Sequence, residues 1–379
     1  MKNKKKILHL ISSLGTGGAE HTLYKLVSGD KHNDHIIVSL TNLGYYGEKL
    51  KSNNFKVYAT NLNKNFIINF YKITKLYFFV KKIKVNFIQS WMYHSDFIGF
   101  FLAFFLKLKI FWNIRNSNLE KKWSNRFTLL LLRFNSFLSR YTYKIISCSQ
   151  KAIDFHASKG YEKDKLILID NGFSEDDYFF DQKKATDFKY QNNLESIDLT
   201  LGMVARWHVQ KDHELLFKVL QKFSKDNKKY SFRLLLAGAG INYSNQNLVK
   251  LLKFYQIFDK SILLDEIENT RQIYSSCDLT VLPSIGNEGF PNVVAESLLC
   301  CTPVIASNSG DVIKLILNKK MIIECGNYMQ LYTALVDSVD MMFNNKEKWQ
   351  DIKVHSRDHI KNNFGIHKMI KRYNDIWVL

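Results

Sequence analysis

The sequence predicts a mainly parallel α/β protein made of two lobes. Three observations carry that prediction. A chain of 379 residues is longer than one hydrophobic core usually supports, so two lobes of roughly 150 to 200 residues each are expected. Short apolar or β-branched segments alternate with helical patterns, as repeated βα units require. The composition, 46% hydrophobic and 23% charged, is that of a folded globular chain rather than a disordered one.

The first series of strand-like segments falls near residues 7–12, 35–40, 56–59, 85–90, 110–114, 144–148 and 166–169. A second series follows near 199–204, 232–237, 262–264, 279–282 and 304–306. Between the two, residues 174–197 are polar, rich in Asp, Lys, Gln and Asn and without a clear period, which reads as the interlobe connection. From about residue 340 the pattern turns helical, with Ile360, Phe364, Met369, Ile370, Tyr373 and Trp377 as its apolar positions. The expected organisation is a first lobe over 1–180, a second over 181–360, and a terminal helix over 361–379 that packs back toward the first lobe.

Cys148, Cys277, Cys300, Cys301 and Cys325 form no C-x-x-C pair and sit in apolar stretches, so reduced packing thiols are expected. The basic run 1–6 before apolar residues 7–11 superficially resembles a signal peptide, but the apolar run is short and leads into a glycine loop. The most hydrophobic segment, 97–106, is broken by Lys107 and Lys109. It falls short of the roughly 18 to 20 apolar residues that span a bilayer. A cytoplasmic protein without a transmembrane helix is the expectation.

The strongest constellation is Ser284-Ile285-Gly286-Asn287-Glu288-Gly289-Phe290-Pro291-Asn292-Val293-Val294-Ala295-Glu296, directly after a predicted strand. Pro291 suits a first helical position, where its missing N–H costs nothing. The next amides, on Asn292 and Val293, then face out of a helix start that favours a phosphate or an electron-rich sugar oxygen. Glu288 before the helix and Glu296 within it could grip hydroxyls at opposite ends of one ligand. An arbitrary pair of glutamates is more often a loop carboxylate and a solvated helix residue. The flanking glycines, the proline and the strand-end position reverse that preference, because ligands of open α/β sheets bind beyond the carboxyl ends of strands.

This stretch resembles the E-x7-E signature of the glycosyltransferase family 4 enzymes, which have the GT-B fold of two Rossmann-like lobes with parallel sheets facing an interlobe cleft. The resemblance implies a retaining transferase in which Glu296 holds the ribose of a nucleotide, Glu288 contacts the donor sugar, and the amides of Gly289, Phe290, Pro291, Asn292 and Val293 line the sugar and phosphate site. A second matching segment runs from Gly202 through Ala205-Arg206-Trp207-His208-Val209-Gln210-Lys211-Asp212-His213. Here a strand ends in a loop with two cations, and Asp212 can cap the following helix. By the resemblance, Arg206 and Lys211 neutralise the donor diphosphate. Gly15-Thr16-Gly17-Gly18-Ala19-Glu20 is not a dinucleotide fingerprint, because G-x-G-x-x-G requires glycine where Glu20 stands. Its G-G-A-E form after the first strand again resembles the family, which puts Gly17 and Gly18 against the donor. His94, in Trp91-Met92-Tyr93-His94, matches a cleft-facing histidine near the reacting carbon, although a lone histidine is usually a packing residue. Arg115 and Asn116 are weaker candidates on strand-end position alone.

No D-x-D motif and no His/Cys cluster with zinc spacing occurs in the sequence. The donor charge then falls to Arg206, Lys211 and helix amides, so no metal and no cofactor beyond the sugar nucleotide is expected. The chain departs from the family pattern at Leu264-Asp265-Glu266, which lacks the usual glycine, and at 312–321, which has none.

The formal net charge of +19 is uneven: residues 1–180 hold 28 Lys and Arg against 13 Asp and Glu, whereas 181–379 hold 26 against 22. Residues 61–150 hold 15 basic and 2 acidic residues among many aromatics. Lys121-Lys122-Trp123, Arg126, Arg133, Arg140 and Lys144 surround the apolar series Phe127, Leu130, Leu131, Phe134, Phe137 and Leu138. Such a helix can lie in a membrane interface or pack into a core with its charges solvated. Family members commonly take lipid-linked acceptors in bacterial surface polysaccharide synthesis, which favours peripheral contact with the inner face of the cell membrane. A nucleic-acid partner suits the charge but leaves the Glu288/Glu296 and Arg206/Lys211 motifs unexplained. The alternatives are a GT-B nucleotide-sugar epimerase, which needs no acceptor, and a non-catalytic protein that binds an anionic surface.

Overall fold

The computed structural model describes residues 4–63, 65–117, 119, 125–286 and 288–378. The chain divides into two compact units, Met1–Gly172 with Ile366–Leu379, and Phe173–Gly365. The crossings fall at 172/173 and 365/366, rather than at 180/181 and 360/361. The reason is a short backbone pairing inside the second unit: Phe173 bridges Gly365, and its N–H donates to the Phe364 carbonyl at 2.8 Å.

The first unit runs β1 (Lys6–Ile11), α1 (Gly18–Gly29), β2 (Asp34–Ser39), α2 (Gly44–Ser52), β3 (Lys56–Ala59), α3 (Phe66–Ile83), β4 (Phe87–Trp91), α4 (Tyr93–Leu106), β5 (Lys109–Ile114), α5 (Arg126–Leu138), β6 (Lys144–Ser147), α6 (Gln150–Ser158) and β7 (Leu166–Leu168). Its seven strands form one sheet in the order β3-β2-β1-β4-β5-β6-β7, and every pairing is parallel. Helices cover a parallel sheet on both faces, so its strands become almost continuous apolar runs. In β1 the alternating residues Leu8 and Leu10 enter one buried cluster, and Ile7 and Ile11 enter another.

The second unit runs α7 (Gln182–Gln191), β8 (Leu199–Val204), α8 (His213–Asp226), β9 (Phe232–Ala237), α9 (Gln246–Phe254), β10 (Ser261–Leu263), α10 (Arg271–Ser276), β11 (Leu279–Leu282), α11 (Asn292–Leu299), β12 (Val304–Ser307), α12 (Val312–Leu315), β13 (Ile322–Ile323), α13 (Tyr328–Asn344) and α14 (Lys346–Asn363). Its sheet has the order β10-β9-β8-β11-β12-β13, again wholly parallel. The expected connection over 174–197 is therefore partly a folded element. In α7 the Asp181 side chain accepts from the Lys184 N–H at 3.1 Å, and Ala185 and Phe188 are buried. Two apolar positions in ten residues leave too faint a period to read.

The terminal helix α15 (Ile366–Val378) belongs to the first unit. Met369, Tyr373, Ile376 and Trp377 are buried, a helical spacing that gives one apolar face, and they share a cluster with Ile7, Trp91 and Phe111. Three polar side chains in or just after the strands also hold this helix. The Tyr373 hydroxyl accepts from Asn113 Nδ2 at 2.7 Å and from an Arg115 guanidinium nitrogen at 2.9 Å, and Trp377 Nε1 donates to Gln89 Oε1 at 3.1 Å. Arg115 also donates to Asn171 Oδ1 at 2.5 Å and lies over the Trp91 ring at 4.8 Å, so its cation serves to clamp the fold. Tyr373→Phe removes the acceptor from the buried Asn113 amide and the half-buried Arg115 guanidinium, and a loss of about 1–3 kcal/mol is expected in denaturant unfolding.

A second buried chain has a single consistent proton arrangement. An indole N–H only donates, so Trp91 Nε1 donates to His9 Nδ1 at 3.2 Å. His9 then carries its proton on Nε2 and donates to His35 Nδ1 at 2.9 Å. His35 in turn donates from Nε2 to Asp30 Oδ2 at 3.1 Å.

None of the five cysteines is in a disulfide; Cys148, Cys277 and Cys300 are buried, while Cys325 is exposed rather than packed. Among the described residues no helix is long and apolar enough to cross a membrane.

Candidate active site

The second sheet starts at β8, extends one way through β9 and β10, and returns on the other side through β11, β12 and β13. The strand order thus reverses between β8 and β11, and ligands of open α/β sheets bind at such a switch point. The two predicted motifs follow these two strands. Pairing of Leu201 with Leu279 and Gly202 with Thr280 brings their carboxyl ends side by side, and the Ile285 N–H donates to the Gln210 carbonyl at 3.0 Å.

This places Lys211 Nζ 2.5 Å from Glu288 Oε1, and the Ser284 hydroxyl donates to the same oxygen at 2.7 Å. The Glu288 N–H donates to Ser309 Oγ at 3.2 Å. Burial pushes the Glu288 carboxyl up, but the Lys211 ammonium, the Ser284 hydroxyl and the Arg206 charge outweigh it, so the group stays below its ordinary value. His208 is held below its ordinary value by burial and by Arg206 and Lys211. Arg206 is exposed. Asp212 takes a left-handed backbone, φ 49°, and accepts from the Leu215 N–H at 3.3 Å, capping α8.

Pro291 is the cap of α11, with φ −75° and ψ 96°, and Asn292 is the first helical residue. The expectation of Pro291 inside the first turn is corrected by one position. Phe290 is buried, its ring centroid 6.2 Å from that of Phe173. Glu296 is only 4% exposed and receives the Tyr274 hydroxyl at 3.3 Å, which sets aside the solvated reading. Gly289 anchors the loop through its carbonyl, which accepts from the Asp311 N–H at 3.0 Å. Gly310, at φ 61°, lies so close that an added Cβ would strike the Gly289 and Glu288 carbonyls. Gly310→Ala therefore meets both a left-handed backbone, costing about 1–2 kcal/mol, and a steric clash with the Glu288 loop. A lower melting temperature is the expected outcome. Asn287 lies outside the described residues.

Where the family shows glycine near 264–266, Asp265 adopts φ 50° and its carbonyl accepts from the Gly238 N–H at 2.7 Å. Aspartate tolerates this region better than most residues, so the turn survives without glycine.

The first sheet has its own reversal between β1 and β4, and the remaining predicted residues lie there. Gly17 caps α1 and Gly18 is its first residue. Beside them the Ser13 hydroxyl donates to Glu20 Oε1 at 2.8 Å. His94 lies in the first turn of α4, half-buried, 5.7 Å from the Phe127 ring, and burial lowers its pKa. Ser12 and Ser95 join the two carboxyl ends through their hydroxyls at 3.2 Å.

Sequence reasoning gave no role to Ser284, Ser309, Gly310 or Tyr274. Ser284 stands four residues before Glu288 inside the motif already singled out. The others come from separate elements, and no local pattern marks them.

In the basic region, Phe127, Leu130, Phe134 and Phe137 are exposed by 47–55%, whereas Leu131 and Leu132 face inward. Lys121, Lys122 and Trp123 lie outside the described residues.

Two parallel-sheet α/β lobes of this kind define the GT-B architecture. Residues 184–359 match the family model described as Glycosyl transferases group 1. The chain is 23% identical over 318 residues to EpsF of Bacillus subtilis (strain 168), which is named as a glycosyltransferase, covering 81% of this chain and 80% of that one. Crystal structures of HepE from Anabaena, one of them with UDP and glucose, are similar in fold: for that complex the TM-score is 0.85, with 17% identity over 99% of both chains. The lipopolysaccharide outer core galactosyltransferase WaaB is similar at a TM-score of 0.66, with 14% identity over 98% of this chain and 99% of that one. The chain is a GT-B enzyme of the glycosyltransferase type.

Proposed function

We propose that the enzyme is a retaining, metal-independent family 4 transferase that moves a sugar from a UDP-sugar to a glycan or lipid-linked saccharide in bacterial surface polysaccharide synthesis. The observation that supports this reading is the cluster of Arg206, Lys211, Glu288 and Ser284 at a topological switch point, next to the start of α11. As the bond from the sugar to the diphosphate breaks, negative charge accumulates on the leaving phosphate oxygen. Arg206 and Lys211 stabilise that charge, and the amides from Gly289 to Val293 add the positive end of a helix. Glu288 holds the sugar, Glu296 the ribose, Gly17 and Gly18 allow close backbone approach to the donor, and His94 contacts the sugar near its reacting carbon. HepE has been solved with UDP and with UDP-glucose, which favours uracil as the base.

A thermal-shift series with UDP-sugars tests the donor. A ligand at a hundred times its Kd adds about 2.7 kcal/mol of stability, and the same shift is expected with magnesium and with EDTA. Stabilisation that disappears in EDTA and returns with magnesium would refute metal independence. Turnover of donor sugar without acceptor would favour the epimerase, and NMR of the product anomer checks retention.

The second part of the proposal is peripheral contact between residues 61–150 and an anionic membrane, supported by exposed rings on α3, α4 and α5 and exposed cations on α3 and α5. Co-sedimentation with phosphatidylglycerol vesicles that declines with salt, and no retention on oligonucleotides, is the expected result.

A further inference from the structure

The first unit contains a cavity of about 420 Å³ where the C-terminal half of α4 meets the start of β5 and the end of α5. Its walls are Phe100, Ala103, Phe104, Leu108, Ile110 and Leu138, with Lys107 and Tyr141 as the two polar residues of the lining. The volume lies in the range of about 300–1,000 Å³ usual for small-molecule sites. The lining does not suit a sugar or a nucleotide, which need several converging polar groups. A mainly apolar, partly open lining of this kind suits an apolar guest.

The surroundings specify the guest further. Phe104 is 66% and Tyr141 62% exposed, and the Phe100 ring lies 6.4 Å from each of theirs, so aromatic faces flank an opening. Lys107, Lys109, Arg133 and Arg140 are exposed, with the Arg140 guanidinium 4.7 Å over the Phe137 ring. Among the described residues from Tyr93 to Lys144 the one acid, Asp96, is fully buried. The outer field here is positive, and it closes around an apolar interior.

We propose that this cavity takes one hydrocarbon chain of an anionic membrane lipid, with the head group held at Lys107 and Arg140. The inference rests on the membrane contact proposed above and goes beyond it, because adsorption of rings and charges on a bilayer needs no cavity. A chain drawn into the protein would fix the orientation of the first unit on the membrane.

Two probes separate the cavity from the surface contact. Dodecyl phosphate kept below its micelle concentration presents one chain and one anion without a bilayer, and phosphatidylglycerol vesicles present the bilayer. Saturable binding of dodecyl phosphate, with no binding of inorganic phosphate at the same concentration, is expected. Phe104→Asp and Lys107→Glu change exposed side chains, so the fold is spared and an unchanged melting temperature verifies it. Each should weaken dodecyl phosphate binding by about tenfold or more. Unchanged affinity in both variants, or equal binding of inorganic phosphate, overturns the proposal. Vesicle binding without dodecyl phosphate binding also overturns it while leaving the surface contact standing. Dodecyl phosphate binding without vesicle binding removes the surface contact and overturns a membrane lipid as the guest.

Discussion

Lys211→Ala is expected to lower kcat by about two to three orders of magnitude, the loss seen when one preorganised charge-stabilising group is removed from a transition state. Lys211 is 20% exposed and its partner Glu288 15%, so water replaces the ion pair only in part. In the proposed mechanism the variant leaves a carboxylate near the leaving phosphate with no facing ammonium, and the repulsion adds to the lost stabilisation. The companion change separates the two roles of the pair. In the unliganded enzyme Glu288 occupies Lys211 and accepts from Ser284 on the same oxygen. Glu288→Gln frees the ammonium and removes a negative charge, so UDP itself should bind several-fold more tightly while turnover with the intact donor falls. Calorimetric titration with UDP beside steady-state kinetics reads both. Weaker UDP binding in Glu288→Gln would show that the carboxylate assists the nucleotide instead of competing with it.

The extent to which this site could be read from sequence follows from where its information lies. Parallel strands buried on both faces leave apolar runs that survive in one sequence, so twelve strands could be placed. The two residues of β13 and the weakly periodic α7 left no such trace. Residue types at strand ends were legible as well, because a helix start, a glycine and a cation each carry a local signal. Which of two strand-end arginines stays available was not legible. Arg115 is clamped by Tyr373 and Asn171, while Arg206 is exposed, and both follow a strand in the same way. That difference comes from α15, more than 250 residues beyond Arg115. Glu296 is a similar case, since its burial against Tyr274 comes from α10.

The second large effect concerns acid. His156 is fully buried; its Nδ1 donates to the Ala152 carbonyl at 2.7 Å, so Nε2 must accept from the Tyr93 hydroxyl at 2.8 Å. Burial outweighs the help of the Ala152 carbonyl and lowers its pKa from 6.5 to about 4. Burial likewise holds His9 well below its ordinary value and puts His213 at about 3. Each of these groups takes up its proton more readily in the unfolded chain. The folded state therefore keeps its full stability above about pH 6.5 and loses it as the pH falls through the window down to about 4, where a folded His156 begins to accept a proton. At 1.36 kcal/mol for each unit of difference, His156 alone accounts for about 3 kcal/mol. His156→Gln keeps an acceptor for Tyr93 and cannot titrate, so its stability deficit relative to the parent should shrink by about that amount between pH 7 and 4. Urea unfolding at several pH values measures the deficit, and a constant difference would place the acid sensitivity elsewhere.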